Sequence, residues 1–399
     1  MDLFDKVSGY TRAKEAMALG LYPYFQPLDR SEGNIAYING KPVIMLGSNN
    51  YLGMTTHPAV KKAAQDAIEK YGTSCTGSRY LNGTLELHLE MDRRLAEWVG
   101  KEAAIVFPTG YQTNLGAISS IVGKGDYVIL DKEAHACIVD GAMLSPGEMR
   151  RFVHNDLSSL ERVLKGIPAD AGKLVVIDGI YSMGGEIAPL PEIAAICKAN
   201  DTRLMVDDAH SIGVLGGGRG TAEHFGITDQ VDLITGTFSK SFASVGGFVA
   251  GNADVIHFIQ HHARSLIFSA SMPASNAAAV LKALEIMETE SEHIEQLWDN
   301  AEFMRAGLKK LGYNTGRSNT PIIPLIIGDD YRVGIAWKAL IEAGVYTNPV
   351  VSPAVPPNQS MLRTSYMATH THELLEEALE AFETVGRNLD LIPQQQFTA

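Results

Sequence analysis

The alternation of short β-branched runs with helical stretches predicts an α/β protein, a large and mostly parallel sheet domain joined to a smaller α+β domain. Three observations carry this. From about Ala103 onward the runs AAIVF, DYVILD, KLVVIDG, RLMVDD and VDLITG are separated by NLGAISSIVG, SSLERVLKG and PEIAAICKAN, the pattern of strands joined by helical crossovers and covered on both faces. After about Glu285 the texture changes to a long helix (HIEQLWDNAEFMRAGLKKLG), a strand (TPIIPLIIG), a Pro-rich turn (VSPAVPP), a strand (MLRTSYMAT) and a closing helix (HELLEEALEAFETVG). A chain of 399 residues, 45% hydrophobic and 20% charged, has core enough for both domains.

Taken in order, residues 1–50 carry a helix and a hairpin pattern, GNIAYINGKPVIML, turning at Asn39-Gly40, and are expected to pack with the small domain. Residues 51–285 form the large domain and 286–399 the small one. Within the large domain, Ser158-x-x-Glu161 reads as a capping box opening the SSLERVLKG helix. Parallel sheets bind ligands beyond the carboxyl ends of their strands. The chemically informative residues fall there: Thr109-Gly110-Tyr111 after AAIVF, His135 after DYVILD, Ser182 after KLVVIDG, Asp207 to His210 after RLMV, and Lys240 after VDLITG.

Composition excludes several classes. With 46 acidic against 33 basic side chains the formal charge is −13, which argues against a phosphate-backbone footprint and hence nucleic acid. Cys75, Cys137 and Cys197 are odd in number and lack CxxC spacing, which speaks for a reducing compartment and against a disulfide scaffold or zinc cluster. The opening MDLFDKVSGYTRAKEAMALG has no apolar h-region, and no run is long enough to span a bilayer, so the expected location is cytoplasmic, with room for peripheral contact at the inner membrane face.

In VDLITGTFSKSFASVGGFVAG a single lysine, Lys240, stands among small and hydroxyl residues. Such an amine either snorkels to water from a strand end or, half-buried, serves as a nucleophile. FPTGYQTNLG offers a glycine turn opening a helix, whose free N–H groups and dipole suit a phosphate, and Thr237 and Ser239 add hydroxyls beside Lys240. An anchored phosphate next to a lysine amine is what pyridoxal phosphate requires, the aldehyde being held as a Schiff base. VDDAHS supplies a carboxylate, Asp207, for the pyridine nitrogen and a histidine, His210, for the phenolic oxygen; a capping acid with a packed histidine is the competing reading of that segment alone. His135 in DKEAHACIVDG can stack on a flat ring. The His257, His261 and His262 group lacks an internal glutamate and a third ligand, His370 and His372 belong to the start of the last helix, and GVLGGGRGT misses the dinucleotide spacing and reads as a flexible loop, so no metal is expected.

The segments SNNYLGM, TGSRYLNGT, FPTGYQTNLG, DKEAHA, DGIYSMGGE, VDDAHSIGV, GTFSKSFASVGGFVAG, RSLIFSASMP and LRTSYMATHT, in this order, make the chain resemble the α-oxoamine synthases, pyridoxal-phosphate enzymes of fold type I (aspartate-aminotransferase-like). Within that family, TGSRYLNGTLELH, TFSKSFASVGGF and NPVVSPAVPP with LRTSYMATHT look most like the bacterial members that condense L-serine with palmitoyl-CoA. They look less like 2-amino-3-ketobutyrate ligase, 8-amino-7-oxononanoate synthase or 5-aminolevulinate synthase. The resemblance implies a homodimer with its site at the interface, Lys240 as the Schiff-base lysine, Asp207 at the pyridinium, His210 at the phenolic oxygen and His135 stacked on the ring. Gly110, Tyr111, Ser182, Thr237 and Ser239 are the further cofactor contacts, while Arg363 with Asn49 would hold the amino-acid carboxylate. One departure is Ala270, where several relatives place a hydroxyl that reaches the partner's phosphate; Ser269 and Ser271 flank it. Two alternatives stand beside this reading: a sister enzyme using another amino acid, such as glycine, alanine or cysteate, or a shorter acyl-CoA, and a non-catalytic partner subunit, against which Lys240, Asp207 and His210 argue.

Overall fold

Asn39 and Gly40 both take positive φ, 52° and 73°, the backbone a two-residue hairpin turn demands. They join β2 (Ile35–Ile38) to β3 (Lys41–Met45) with Ile38 opposite Lys41, and β1 (Arg30–Ser31) pairs with β2 from the other side. The computed structural model describes residues 2–394 and divides into two units, one of Met1–Ser48 with Trp298–Ala399 and one of Asn49–Leu297.

The second unit is built on seven strands: β4 (Ala103–Phe107), β5 (Tyr127–Asp131), β6 (Glu148–Phe152), β7 (Lys173–Asp178), β8 (Arg203–Asp207), β9 (Leu233–Thr237) and β10 (Gly247–Gly251), in the spatial order β4-β10-β9-β8-β7-β5-β6. The strands from β6 to β9 run parallel, and β10 lies antiparallel between β4 and β9. Central strands such as β7 are buried along nearly their whole length, as their unbroken Val/Ile runs require of a sheet covered on both faces. Ile105, Val128, Val176 and Met205 pack under Ile118 of the helix Gly110–Ile121 and Ile138 of Ala136–Leu144 in one continuous core. That places the first turns of both helices at the carboxyl edge of the sheet.

In the first unit β11 (Ile322–Gly328), β14 (Ser360–Ser365) and β13 (Asn348–Val350) form an antiparallel sheet, while β12 (Val345–Tyr346) adds parallel to β3. Leu325 and Leu362 of this sheet pack with Trp337 of the helix Asp330–Glu342 and Phe382 of His372–Asn388, and Ile44 and Leu46 join the same cluster.

The structure departs from the sequence pattern in four places. Strand β6 (EMRRF) is a charged edge strand with little hydrophobic signal, and β10 (GFVAG) is a strand despite its glycines because both its neighbours pair with it. The helix Leu157–Lys165 is capped by Asp156, whose Oδ1 accepts from the Ser159 N–H at 2.9 Å, so Ser158 lies inside the first turn. Leu160 and Leu164, one turn apart on this helix, are buried. GVLGGGRGT is an ordered turn, Gly216–Gly218, in which the Gly213 N–H donates to Gly218 O at 2.9 Å and the Gly220 N–H to Leu215 O at 3.1 Å.

Candidate active site

The carboxyl ends of β5, β7, β8 and β9 and the start of the helix Gly110–Ile121 surround a cavity of about 330 Å³. Helix geometry shapes one wall. Thr109 caps the helix by accepting from the Gln112 N–H at 3.1 Å, and the N–H groups of Gly110 and Tyr111 sit in the first turn, where no carbonyl of the helix can reach them. A Cβ on Gly110 would lie 2.6 Å from Thr237 Oγ1, and one on Gly247 would lie 2.7 Å from Gly110 Cα, so glycine at both positions lets the helix begin this close to β9 and β10. Thr237 Oγ1 and Ser239 Oγ, 2.9 Å apart, face the same space.

On the opposite side Asp207, buried at the end of β8, accepts from Asn114 Nδ2 at 2.7 Å and from the Ala209 N–H at 2.9 Å. His135 caps the helix Ala136–Leu144: its Nδ1 accepts from the Cys137 N–H at 3.2 Å, which puts the proton of the neutral ring on Nε2. Burial pushes this imidazole below its ordinary range; Asp207 opposes that and the Lys240 ammonium adds to it. The His135 N–H donates to Asp178 Oδ2 at 3.1 Å, and Asp178, wholly buried, is held well above the usual carboxylate range by desolvation and by Asp207. His210 Nδ1 lies 2.7 Å from Tyr51 Oη, which lies 3.4 Å from Asn49 Oδ1.

Of the residues singled out in the sequence, Gly110, Tyr111, His135, Asp207, His210, Thr237, Ser239 and Lys240 all line this one cavity, Lys240 half-buried. Ser182 lies in the turn beyond β7, outside the lining. Asn49 opens the same unit. Arg363 belongs to the other unit, buried in β14 opposite Pro324 and Asn348. The decoy histidines have local partners: His261 and His262 each sit within 2.8 Å of a carbonyl one turn back, and His370 Nδ1 accepts from the Met367 N–H at 3.0 Å. Asn114, Cys137, Asp178 and Tyr51 escaped the sequence reading. Asn114 and Cys137 were within reach of it, the one a helical turn after Gly110 and the other two residues after His135.

The donor set fits pyridoxal phosphate: a glycine-walled cradle of N–H and hydroxyl groups for the phosphate, a buried carboxylate across from it, a neutral imidazole and one amine. Among the described residues no helix is long and apolar enough to cross a membrane.

Comparison with known proteins agrees. The model of the aminotransferase class I and II family matches residues 41–382. Serine palmitoyltransferase of Sphingobacterium spiritivorum is 48% identical over 390 residues, 98% of each chain. An 8-amino-7-oxononanoate synthase of Thermoanaerobacter pseudethanolicus is 41% identical over 383 residues, 96% of this chain and 97% of that one. A solved structure of SPT described as holding its PLP internal aldimine superposes with a TM-score of 0.96 at 38% identity, covering 98% of this chain and all of its own.

Proposed function

Since the chain belongs to the aminotransferase class I and II family, we propose that it is a pyridoxal-phosphate-dependent acyltransferase joining L-serine to a long-chain acyl-CoA. With palmitoyl-CoA the products are 3-ketosphinganine, coenzyme A and carbon dioxide, the entry step of sphingolipid synthesis. The observation that carries the reading is the convergence of Lys240, Asp207, His210, His135 and the Gly110/Thr237/Ser239 cradle on one cavity in a chain similar to a serine palmitoyltransferase from end to end.

When bound, pyridoxal phosphate supplies an electron sink that makes the α-proton of an attached amino acid removable. Around it, each residue has a separate task. The helix start at Gly110 and Tyr111, with Thr237 and Ser239, anchors the phosphate. Asp207 would hold the proton on the ring nitrogen. His135, with Nδ1 taken by the Cys137 N–H, would stack on the bound ring, and His210, with Tyr51 Oη 2.7 Å from its Nδ1, would bond its phenolic oxygen. Lys240 would hold the cofactor's aldehyde, and its amine is the base that would take the serine α-proton. Arg363 and Asn49 carry recognition of the serine carboxylate, the guanidinium through a forked contact. Loss of carbon dioxide after acyl transfer makes the condensation one-way.

The assembly follows from the same reading: a homodimer working in the cytoplasm, with peripheral membrane contact through which long-chain substrates could be drawn. Beside Ala270, Ser269 Oγ accepts from Gln112 Nε2 at 2.8 Å, and the Ser271 N–H donates to Gly77 O at 2.8 Å while its buried hydroxyl has no hydrogen-bond partner among the described residues. Phe268, 73% exposed, is an apolar ring in the same segment for a second copy to cover. A panel of amino acids against acyl-CoAs, with mass detection of the ketone, tests the function. Serine with palmitoyl-CoA is expected to give the highest turnover; preference for another amino acid with a short acyl donor would favour the lesser reading that the 8-amino-7-oxononanoate synthase similarity supports.

A further inference from the structure

We propose that Asn114 is a positioning residue that holds the Asp207 carboxylate in place at the cofactor cavity. It rests on the reading of that cavity as the pyridoxal-phosphate site. All three polar positions of the Asn114 amide are engaged. Its Nδ2 donates to Asp207 Oδ2 at 2.7 Å and to Cys137 Sγ at 3.1 Å, and its Oδ1 accepts from Thr235 Oγ1 at 3.1 Å. Two donors on one nitrogen and one accepted hydroxyl on the oxygen leave the amide a single orientation, with N–H toward the carboxylate. Asn114 and Thr235 are both buried, so water does not compete for any of these bonds.

The remaining Asp207 oxygen takes the Ala209 N–H at 2.9 Å. The acid is therefore gripped from two elements, its own strand end and the helix Gly110–Ile121. That helix also supplies Gly110 to the phosphate cradle one turn earlier. One rigid element thus fixes the distance between the two ends of the site, the anion cradle and the carboxylate. An aliphatic side chain at 114 offers neither group and a hydroxyl offers both on one atom, whereas the planar amide sets a donor for the acid and an acceptor for Thr235 on separate atoms.

The test is cofactor affinity of the apoprotein, read by spectral titration with pyridoxal phosphate between about pH 5.5 and 8.5, each variant compared with wild type at the same pH. Asn114→Leu should bind roughly 10- to 100-fold more weakly throughout, as expected when a hydrogen bond to a charged group is lost. Asn114→Asp, nearly isosteric, sets a second carboxyl against Asp207; it can donate only while protonated, so its deficit should be large at pH 8 and shrink as the pH falls. The thermal midpoints of the variant apoproteins should stay near that of wild type. The inference is overturned if either variant binds within twofold of wild type across the range, if the Asn114→Asp deficit is the same at every pH, or if weaker binding merely tracks a lowered apoprotein midpoint. Wild-type apoprotein that fails to take up the cofactor would sink the reading of the cavity itself, and this inference with it.

Discussion

Asp207 and Asp208 are neighbours in the chain, yet their carboxylates meet different surroundings. Asp207 lies on the cavity wall with N–H donors on both oxygens. Asp208 is sealed behind it: Oδ1 accepts from Thr221 Oγ1 at 2.6 Å, Oδ2 from the Thr221 N–H at 3.0 Å, and a Cβ on Gly179 or Gly220 would come within 2.1 or 2.3 Å of its oxygens. Burial lifts the Asp208 carboxyl to about 6 despite the hydroxyl donors from Thr221 and Ser211. The difference teaches that residue type and strand end are shared by an acid on a cavity wall and one sealed in the interior; what separates them is which face of the backbone meets open space.

The sharpest way to break the comparison is to remove what Asp207 serves. Lys240→Ala should fold yet lose the borohydride-trappable imine and all measurable condensation; imine trapped on another lysine would reject the assignment. Asp207→Asn should next cost about 4 kcal/mol in the barrier to α-proton removal, the scale of preorganised electrostatic contributions, read as slowed deuterium exchange at the serine α-carbon. If exchange is as fast as in wild type, Asp207 is no more functional than its neighbour.

Asp208→Asn should act on stability and leave serine exchange intact. A carboxyl raised in the folded state keeps its proton between the ordinary carboxylate range and about pH 6, so wild-type stability falls as pH rises through that window, by up to roughly 3 kcal/mol from this group. Denaturant titrations at pH 4 to 7 should show that slope flattened in Asp208→Asn; an unchanged slope would remove Asp208 as its source. Arg363→Ala should weaken serine binding by about 2 kcal/mol with cofactor absorbance retained, and Arg363→Lys should recover only part, since an ammonium lacks the fork. An unaltered serine dissociation constant, titrated without acyl-CoA, would end the carboxylate role. The smallest effect belongs to Tyr51→Phe, which removes the hydroxyl at 2.7 Å from His210 and should cost about 1 kcal/mol in kcat/KM. No change there would leave His210 positioned by other contacts.

The large sheet was legible because buried parallel strands write themselves as Val/Ile runs, and the cavity lined by Gly110, His135, Asp207 and Lys240 was legible because strand ends in such sheets converge. The Asn39-Gly40 hairpin was legible from two residues, since few others accept its backbone. What escaped is equally instructive. Strand β10 is held by pairing on both sides, a tertiary cause invisible in GFVAG, and the helix cap lies two residues before Ser158, with the Asp156 carboxylate taking the Ser159 N–H. Asn114 looked like one more polar residue in a helix; its meaning lies in Asp207 and Thr235, which are distant in sequence.

Strand β10 also sets an order of assembly. β4, early in the unit, pairs within the sheet with β10 alone, Phe107 lying opposite Gly247, while β10 joins it to β9 through Thr237. In-sheet pairing of the strand that leads to Gly110 therefore waits for the last strand of the sheet to arrive, although the helix it opens also packs directly on Thr237. Such closure of distant segments is slow relative to local helix formation. On a growing chain, the parallel block β5 to β9 can form first, and β4 gains its strand partner only after Gly251 is free to enter the sheet.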